Sequence, residues 1–240
     1  MARRSFKAGA LTAPLPPVMV TVGDMENSNI LTIGWTGILS TIPPRTYISV
    51  RPERHSYKML KATGEFVINL TTAKQAKIVD YVGIYTGAKV DKFKECKLTK
   101  AASKEVSAPT IEECPLALEC RVIEVIPMGT HDVFIADIVS VSCDESILDD
   151  SGKIRFDQAG LLAYAHGEYY ALGEKVGKFG FSTRKPAQKS NAPKKRSAEE
   201  NKSKKEPAVK NTEGEENKKR PFYLDAPRGK GKPKGKGKKR

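Results

Sequence analysis

The longest strand signal in this chain is Leu116-Ala-Leu-Glu-Cys-Arg-Val-Ile-Glu-Val-Ile126. Over residues 116–123 the alternate positions Leu116, Leu118, Cys120 and Val122 are apolar. The positions between them, which include Glu119 and Arg121, form a face that leans polar, and this is the two-residue period of a strand. A turn of five residues, Met128-Gly-Thr-His-Asp132, leads into a second such run at 133–142. Two long neighbouring strands joined by a short turn predict an antiparallel hairpin.

Shorter apolar runs surround this hairpin. Segments 17–22, 30–35, 46–50 and 65–70 are bounded by turn formers and predict four further strands. A short helix is expected over 56–63, ending at Gly64, and a second over 73–82, ending at Gly83. Frequent strands with few brief helices predict a mainly β fold, a closed antiparallel barrel rather than a parallel βαβ sheet.

The charge of the chain is unevenly distributed. The 240 residues carry 42 Lys and Arg against 28 Asp and Glu, a net charge of +14. Residues 186–240 hold 19 basic and 7 acidic residues, a net charge of +12, which leaves +2 for residues 1–185. We predict one folded domain over 1–185 and a disordered, Lys/Gly-rich basic tail over 186–240. Such a tail serves solubility alone, or binds nucleic acid or an anionic membrane surface.

Several classes of protein are excluded by composition and motif. No apolar stretch approaches the roughly 18 residues of a membrane span, and the N-terminus lacks a secretion core, so we expect a cytoplasmic protein without a transmembrane segment. The four cysteines show no Cys-x-x-Cys spacing and are expected to be reduced and partly buried. The three histidines are far apart, and no metal site is predicted. No P-loop, Gly-x-Gly-x-x-Gly or Gly-x-Ser-x-Gly motif occurs.

Polar residues in otherwise apolar strands are the remaining signal. Thr32 and Trp35 are three residues apart, which places them on opposite faces of a strand unless a bulge at Gly34 redirects one of them. One interpretation is that the hydroxyl residues are ordinary strand residues and Trp35 belongs to the core. The other is that hydroxyls, an amide and a guanidinium converge on a phosphorylated aromatic ligand.

Five segments in a fixed order carry a family resemblance. They are Asn29-Ile-Leu-Thr-Ile-Gly-Trp-Thr-Gly37, Ile48-Ser-Val-Arg-Pro-Glu-Arg-His-Ser-Tyr57, Thr63-Gly-Glu-Phe-Val-Ile-Asn-Leu-Thr71, Asp91-Lys-Phe93 and Gly177-Lys-Phe-Gly-Phe-Ser182. Across residues 10–185 the chain resembles the flavin reductase-like, FMN-binding split-barrel proteins, and in particular their flavoredoxin branch. The tail lies outside the resemblance.

The resemblance implies a homodimeric antiparallel split β-barrel with FMN near the subunit interface. The residues that it places along the flavin are Asn29, Thr32, Trp35, Thr36, Ser49, Val50 and Arg51. For the phosphate it implies Arg51, Ser56 and Lys92, since a guanidinium, a hydroxyl and an ammonium suit phosphate oxygens. Asn69 either caps the turn that follows its strand or contacts a polar edge of the cofactor.

A further segment, Leu161-Leu-Ala-Tyr-Ala-His-Gly-Glu-Tyr-Tyr170, resembles the part of the family that approaches the flavin from the neighbouring subunit. His166, Tyr164 and Tyr169 are therefore candidate neighbours of the flavin or of a nicotinamide. His166 has no local partner in sequence, and a structural role is the competing interpretation. No residue is assigned as a general acid, because the cofactor carries hydride chemistry.

Three functions follow as hypotheses. The first is an FMN-dependent oxidoreductase of the flavin reductase type, which takes electrons from NAD(P)H and passes them to an acceptor. The second is a flavoredoxin-type electron carrier that acts with protein redox partners. The third is a nucleic-acid-binding module in which the tail dominates and the barrel is a scaffold.

Overall fold

The computed structural model describes residues 2–183. It divides into a unit Met1–Lys175 and a unit that begins at Val176, of which 176–183 are described. The predicted tail 186–240 lies outside the described residues. The strands are β1 Val18–Gly23, β2 Ser28–Ile33, β3 Thr36–Thr41, β4 Pro44–Val50, β5 Glu65–Leu70, β6 Lys100–Ala101, β7 Thr110–Ile111, β8 Leu116–Pro127, β9 Asp132–Cys143, β10 Leu162–Ala165 and β11 Glu168–Ala171.

Seven of these strands form one antiparallel sheet in the order β2-β1-β5-β8-β9-β4-β3. Its centre is the predicted hairpin, in which β8 and β9 pair from Leu116 opposite Cys143 to Pro127 opposite Asp132. The two edge strands, β2 and β3, follow each other in the chain and are separated only by Gly34 and Trp35. Because so short a link joins opposite edges, the sheet curls until they approach. The fold is the predicted antiparallel split barrel.

Strand β1 is buried on both faces, which explains its uninterrupted apolar sequence. One face contributes Val20 to the main core inside the barrel, where Phe66 of β5 and Phe134 of β9 also pack. The opposite face contributes Met19 to a second core, in which Val79 of the helix Ala76–Ile84 also packs. Alternate residues of a strand point to opposite faces, so one strand supplies both cores.

The helices are short and lie over β1 and β2. They are α1 His55–Thr63, α2 Ala76–Ile84 and α3 Lys92–Glu95, with 3₁₀ turns at Ala73–Gln75, Glu145–Ile147 and Phe181–Thr183. Gly64 ends α1 in the left-handed conformation, with φ of 65°, as its position in the sequence predicts. None of the helices within residues 2–183 has the length and apolar composition that crossing a bilayer requires.

Two kinds of local prediction were wrong. Helix α2 continues through Gly83 to Ile84 and ends at the extended Tyr85, so Gly83 is not its cap. An ideal Cβ at Gly83 would lie 3.3 Å from Cβ of Thr32, so the glycine serves the close approach of α2 to β2. Five of the eleven strands were not predicted, namely β3, β6, β7, β10 and β11. In β3 the apolar residues Ile38 and Leu39 face solvent at the sheet edge, so its sequence lacks the alternation of a half-buried strand.

The four cysteines are free thiols, as the sequence predicts. Cys114 and Cys120 are buried, and burial raises the pKa of each thiol to about 12, so neither is a reactive thiolate at neutral pH. Among residues 2–183, no cluster of three or more His, Cys, Asp or Glu side chains is arranged to hold a metal ion.

Candidate functional site

The main cleft lies at the split of the barrel, where β2 gives way to β3. It has a volume of about 230 Å³. Strand β2 ends at Ile33, so Gly34 and Trp35 lie outside any strand and both Thr32 and Trp35 reach the cleft. Trp35 is 42% exposed and is not a core residue. The backbone N–H of Ser49 donates to the Trp35 carbonyl at 3.0 Å and fixes this link against β4.

Aromatic side chains form the walls of the main cleft. Trp35 packs on His131, which lies in the turn between β8 and β9, with ring centroids 4.6 Å apart. Tyr164 and Tyr169 pair across β10 and β11 and contribute a second aromatic wall, their centroids 5.3 Å apart. Tyr164 is anchored by a two-way backbone bridge to Leu15. The cleft therefore offers flat apolar faces on two sides.

Within the second aromatic wall, Tyr169 is held by a hydrogen bond to α2. Tyr169 donates its hydroxyl to Asp80 of α2 at 3.2 Å. Burial, together with the charge and hydrogen bond of Asp80, raises the pKa of Tyr169 to about 12, so this hydroxyl remains a donor at every physiological pH. The residue orients the wall and is not a proton donor to a ligand.

A smaller cleft of about 110 Å³ adjoins the main one. The residues that line both clefts are Leu31, Thr32, Arg54 and Gly83. The Thr32 hydroxyl donates to the Val79 carbonyl at 2.6 Å, and Arg54 Nη1 donates to the Gly83 carbonyl at 3.0 Å. These bonds tie the boundary between the clefts to α2, so one continuous depression runs along the outside of β2.

Lys92 is a buried cation at the small cleft. Its side chain belongs to a residue that is only 4% exposed, and Nζ donates to the carbonyls of Ile30 and Val82, each at 2.8 Å. An ammonium has three N–H donors, so one is left over. Burial and the charge of Arg54 lower the pKa of Lys92 to about 8. No carboxylate within residues 2–183 forms an ion pair with it.

Asn29 and Ser56 line the same cleft and are joined by a hydrogen bond. Asn29 Nδ2 donates to Ser56 Oγ at 2.7 Å, and both residues are buried. An ideal Cβ at Gly87 would lie 2.3 Å from Asn29 Oδ1, so only glycine leaves room for this amide. The amide and the hydroxyl are thus fixed beside Lys92.

Helix α1 begins at this cleft. Arg54 precedes it in an extended conformation without a side-chain cap, and its first turn contains no acidic residue. The first N–H groups of a helix lack partners within the helix and carry partial positive charge, which favours an anion. The lining also includes the carboxylate of Glu53, but the two cations Lys92 and Arg54 outnumber it. The small cleft therefore combines net positive charge with several donors, which suits phosphate oxygens.

The structure brings most predicted site residues together. Thr32, Trp35, Ser49, Val50, Arg51, Tyr164 and Tyr169 line the main cleft, and Asn29, Thr32, Ser56 and Lys92 line the small one. Arg51, which the resemblance implies at the phosphate, lies in the lining of the main cleft only. Tyr164 and Tyr169 line the cleft of their own chain.

Three predicted residues line neither cleft. Thr36 donates to the Tyr47 carbonyl at 2.6 Å within the β3–β4 pair. Asn69 is buried, donates to the Met19 carbonyl and accepts from the Ile111 backbone N–H, both at 3.0 Å. His166 is exposed in the turn between β10 and β11, with φ of 52°. The amide of Asn69 therefore holds β1, β5 and β7 together.

Arg54 and His131 are among the lining residues that were not selected from the sequence. Arg54 lies within a quoted family segment, and its position before the helix start was the available signal. His131 had no signal, because the hairpin turn that carries it is about a hundred residues from Trp35 in sequence. Burial and the nearby Arg51 lower the pKa of His131, so its imidazole is neutral at pH 7.

Comparison with known proteins gives a consistent family. Residues 11–173 match the model of the flavin reductase like domain. The flavoredoxin of Desulfovibrio vulgaris (Miyazaki F) is 32% identical with a TM-score of 0.71, covering 76% of this chain and all of that one. An FMN-binding protein from Thermus thermophilus, solved with 1-cyclohex-2-enone, is 26% identical with a TM-score of 0.63, covering 74% of this chain and 97% of that one. The FMN reductase (NADH) RutF of Agrobacterium fabrum is 25% identical over 113 residues, which are 46% of this chain and 63% of that protein.

Proposed function

The chain belongs to the family of flavin reductase-like domains, and on this premise we propose that it is an FMN-binding oxidoreductase that transfers electrons from NAD(P)H through the flavin to an acceptor. The observation that carries the proposal is the joined pair of clefts, one aromatic and one cationic, along the outside of β2. FMN has the same two parts, a flat ring system and a phosphate.

The dimensions support this fit. Small-molecule pockets have volumes of roughly 300–1,000 Å³, and the main cleft alone, at about 230 Å³, is smaller. A ligand as large as FMN therefore needs the volume of both clefts. The shared boundary at Thr32, Arg54 and Gly83 allows one molecule to occupy both.

The small, cationic cleft binds the phosphate of FMN and so positions the whole cofactor. Lys92 has one unused N–H donor, Arg54 adds a guanidinium and Ser56 adds a hydroxyl, all at the start of α1. A phosphate provides the negative charge that the buried ammonium lacks within residues 2–183. Anchoring the phosphate there fixes how far the ring extends into the main cleft.

The aromatic end orients the ring system and limits its contact with water. Trp35 with His131 and Tyr164 with Tyr169 provide the two walls. Bound FMN supplies the redox chemistry, accepting two electrons from a hydride donor and releasing them to an acceptor. The protein contributes the alignment of the hydride donor with the ring.

The test is reduction of the flavin. Purified protein reconstituted with FMN is desalted, and NADH or NADPH is added in an anaerobic stopped-flow instrument while the flavin absorbance band is followed. We expect the band to persist through desalting and to bleach with at least one nicotinamide. A colourless protein after reconstitution contradicts FMN binding, whereas a yellow protein that neither nicotinamide bleaches contradicts the reductase activity alone.

A flavoredoxin-type electron carrier is the second candidate. The observation that favours it is the similarity to the D. vulgaris flavoredoxin, whose whole length is matched. A carrier exchanges electrons with protein partners. In the same instrument, reduction by a reduced ferredoxin-type protein combined with no reaction toward NADH and NADPH identifies the carrier.

A homodimer is part of the proposal. Ile38, Leu39 and Ile42 are 63%, 52% and 76% exposed along edge strand β3 and the turn that follows it. An exposed apolar edge of this kind favours pairing with another chain. Trp35 immediately precedes β3, so a partner on this edge would lie beside the main cleft. Light scattering on Ile38→Asp, with Ile84→Asp as an exposed control, tests the contact, and an unchanged dimer contradicts it.

The basic tail is proposed to bind nucleic acid or an anionic surface in addition. Its net charge of +12 over residues 186–240 supports this, because released counterions drive such binding. A chain shortened after Lys185 is expected to lose salt-dependent binding to single-stranded DNA or anionic vesicles while its flavin content is unchanged. Equal binding by both chains contradicts a role for the tail. A cytoplasmic location remains a proposal as well.

A further inference from the structure

A surface groove lies between α2 and α3, separate from both clefts. It has a volume of about 310 Å³. The side chains that line it are Lys77, Ile78, Tyr81, Glu95, Cys96 and Lys97. The proposed FMN site uses none of them. Ile78 and Cys96 are half-buried and also pack against the second core, so the floor is apolar and supported.

A stacked aromatic pair connects this groove to the small cleft. Tyr81 lines the groove, and Tyr85 lines the small cleft beside Lys92. The two rings stack with centroids 4.3 Å apart and planes 28° apart. Tyr85 nevertheless remains 48% exposed. An aromatic surface thus continues from the cationic end of the proposed cofactor site into the groove.

The arrangement follows from helical spacing. Lys77, Tyr81 and Tyr85 are four residues apart, so they form one stripe along α2 and its end. Lys97, which follows α3, provides a second ammonium at the opposite side of the groove. Glu95 adds carboxylate oxygens that accept hydrogen bonds from hydroxyl or amino groups.

These features match one ligand chemistry. A purine base stacks on tyrosine faces, its phosphate suits lysine, and ribose hydroxyls or an adenine amino group suit a carboxylate. The groove also begins at the end of the site that is suited to phosphate. We propose that it is a subsite for the adenylate half of a dinucleotide whose other half lies in the main cleft. The inference rests on the proposed function, and both FAD and NAD(P)H carry this half.

The experiment compares ligands with and without the adenylate. Isothermal titration calorimetry measures Kd for FMN and FAD on the flavin-free full chain. On the FMN-loaded chain it measures Kd for NAD⁺ and nicotinamide mononucleotide, the oxidised forms, which cannot reduce the flavin. The variant is Tyr81→Ala, and the matched control is Tyr170→Ala, a 49% exposed tyrosine of β11 outside the groove. Lys77→Glu, at an exposed position, is a second variant that leaves the core intact.

If FAD is the ligand, we expect FAD to bind roughly tenfold more tightly than FMN, and Tyr81→Ala to remove that difference while FMN affinity is unchanged. If NAD(P)H is the ligand, the same pattern appears between NAD⁺ and the mononucleotide. Lys77→Glu is expected to weaken the same ligand several-fold, and Tyr170→Ala to change nothing.

Two results overturn the inference in different ways. Binding of FMN with no advantage for either dinucleotide, or an advantage that survives both Tyr81→Ala and Lys77→Glu, removes the subsite and leaves the proposed function standing. Failure of the wild-type chain to bind FMN and FAD overturns both.

Discussion

At the small cleft the polar groups are buried and fixed by the protein itself, whereas at the main cleft the key aromatic side chain is partly exposed. Lys92 is 4% exposed and bonded to two carbonyls, while Trp35 is 42% exposed and packs on a single ring. Burying an ammonium costs several kcal/mol unless an anion compensates it. On the proposed function, this comparison predicts that the cationic end contributes most of the affinity for FMN and the aromatic end its orientation.

The largest effect is expected at Lys92. A hydrogen bond to a charged group contributes about 1.5–3 kcal/mol, so Lys92→Met is expected to weaken FMN roughly 10- to 100-fold. Riboflavin, which has the same ring and no phosphate, should bind as before. Calorimetric titration of both ligands measures this, with Lys94→Met as the exposed control on the same helix. An equal loss of riboflavin affinity would show that Lys92 only supports the fold.

The two arginines sharpen the comparison further. Arg54 lines both clefts and Arg51 lines the main one only. Arg54→Ala is expected to weaken FMN about tenfold and to spare riboflavin, because it removes a phosphate partner. Arg51→Ala should weaken the two ligands equally. A loss confined to FMN in Arg51→Ala would instead assign Arg51 to the phosphate, as the family resemblance implies.

A smaller effect is expected at the aromatic end. Aromatic contacts contribute about 0.5–1.5 kcal/mol beyond buried area, so Trp35→Ala should weaken FMN and riboflavin alike by several-fold. Trp35 is the chain's single tryptophan, and quenching of its fluorescence reports ligand at this end in the wild type. Tight flavin binding without quenching would place the ring elsewhere.

The same Lys92 ammonium also predicts a pH dependence, which is limited to the loss expected for Lys92→Met. The pKa of Lys92 is lowered to about 8 by burial and by Arg54, so its ammonium is present at pH 7 and lost as the pH rises above about 8. A bound phosphate favours the charged form and raises this pKa in the complex. FMN affinity should therefore fall over about two pH units, from roughly pH 7.5 to 9.5. Riboflavin titrations over the same range provide the control, and parallel curves for the two ligands contradict the assignment.

Much of the fold was predictable because it is local. The alternation after Leu116 predicted the long hairpin, and Gly64 predicted the end of α1. The helix end at Gly83 was predicted wrongly, since glycine there allows Thr32 of β2 to approach. A glycine that ends a helix and a glycine that admits a neighbouring strand look identical in sequence.

For the candidate site as well, local features were predictable from the sequence and long-range ones were not. Residues close to one another in sequence, such as Ser49 to Ser56, were found because a short segment carries them. Asn69 was expected either to cap the turn after its strand or to contact the cofactor. Its side chain instead bonds to the backbone of Met19 in β1 and of Ile111, which only the assembled sheet brings near. His131 gave no signal because its partner, Trp35, comes from a distant part of the sequence. Tyr81 gave none because the groove that it lines forms only when α2 and α3 pack together.

The sequence by itself determined six of the eleven strands within residues 2–183, the hairpin at the centre of the sheet and the family. It also determined the separation of charge between a near-neutral segment, 1–185, and a basic one, 186–240. Those properties follow from periodicity, local turn chemistry and charge counting, which need no knowledge of distant contacts. Only the tertiary structure decided that Lys92 is buried beside Arg54 and that Trp35 faces a cleft. Burial and convergence depend on how the sheet curls to bring β2 near β3, and that is a property of the whole chain.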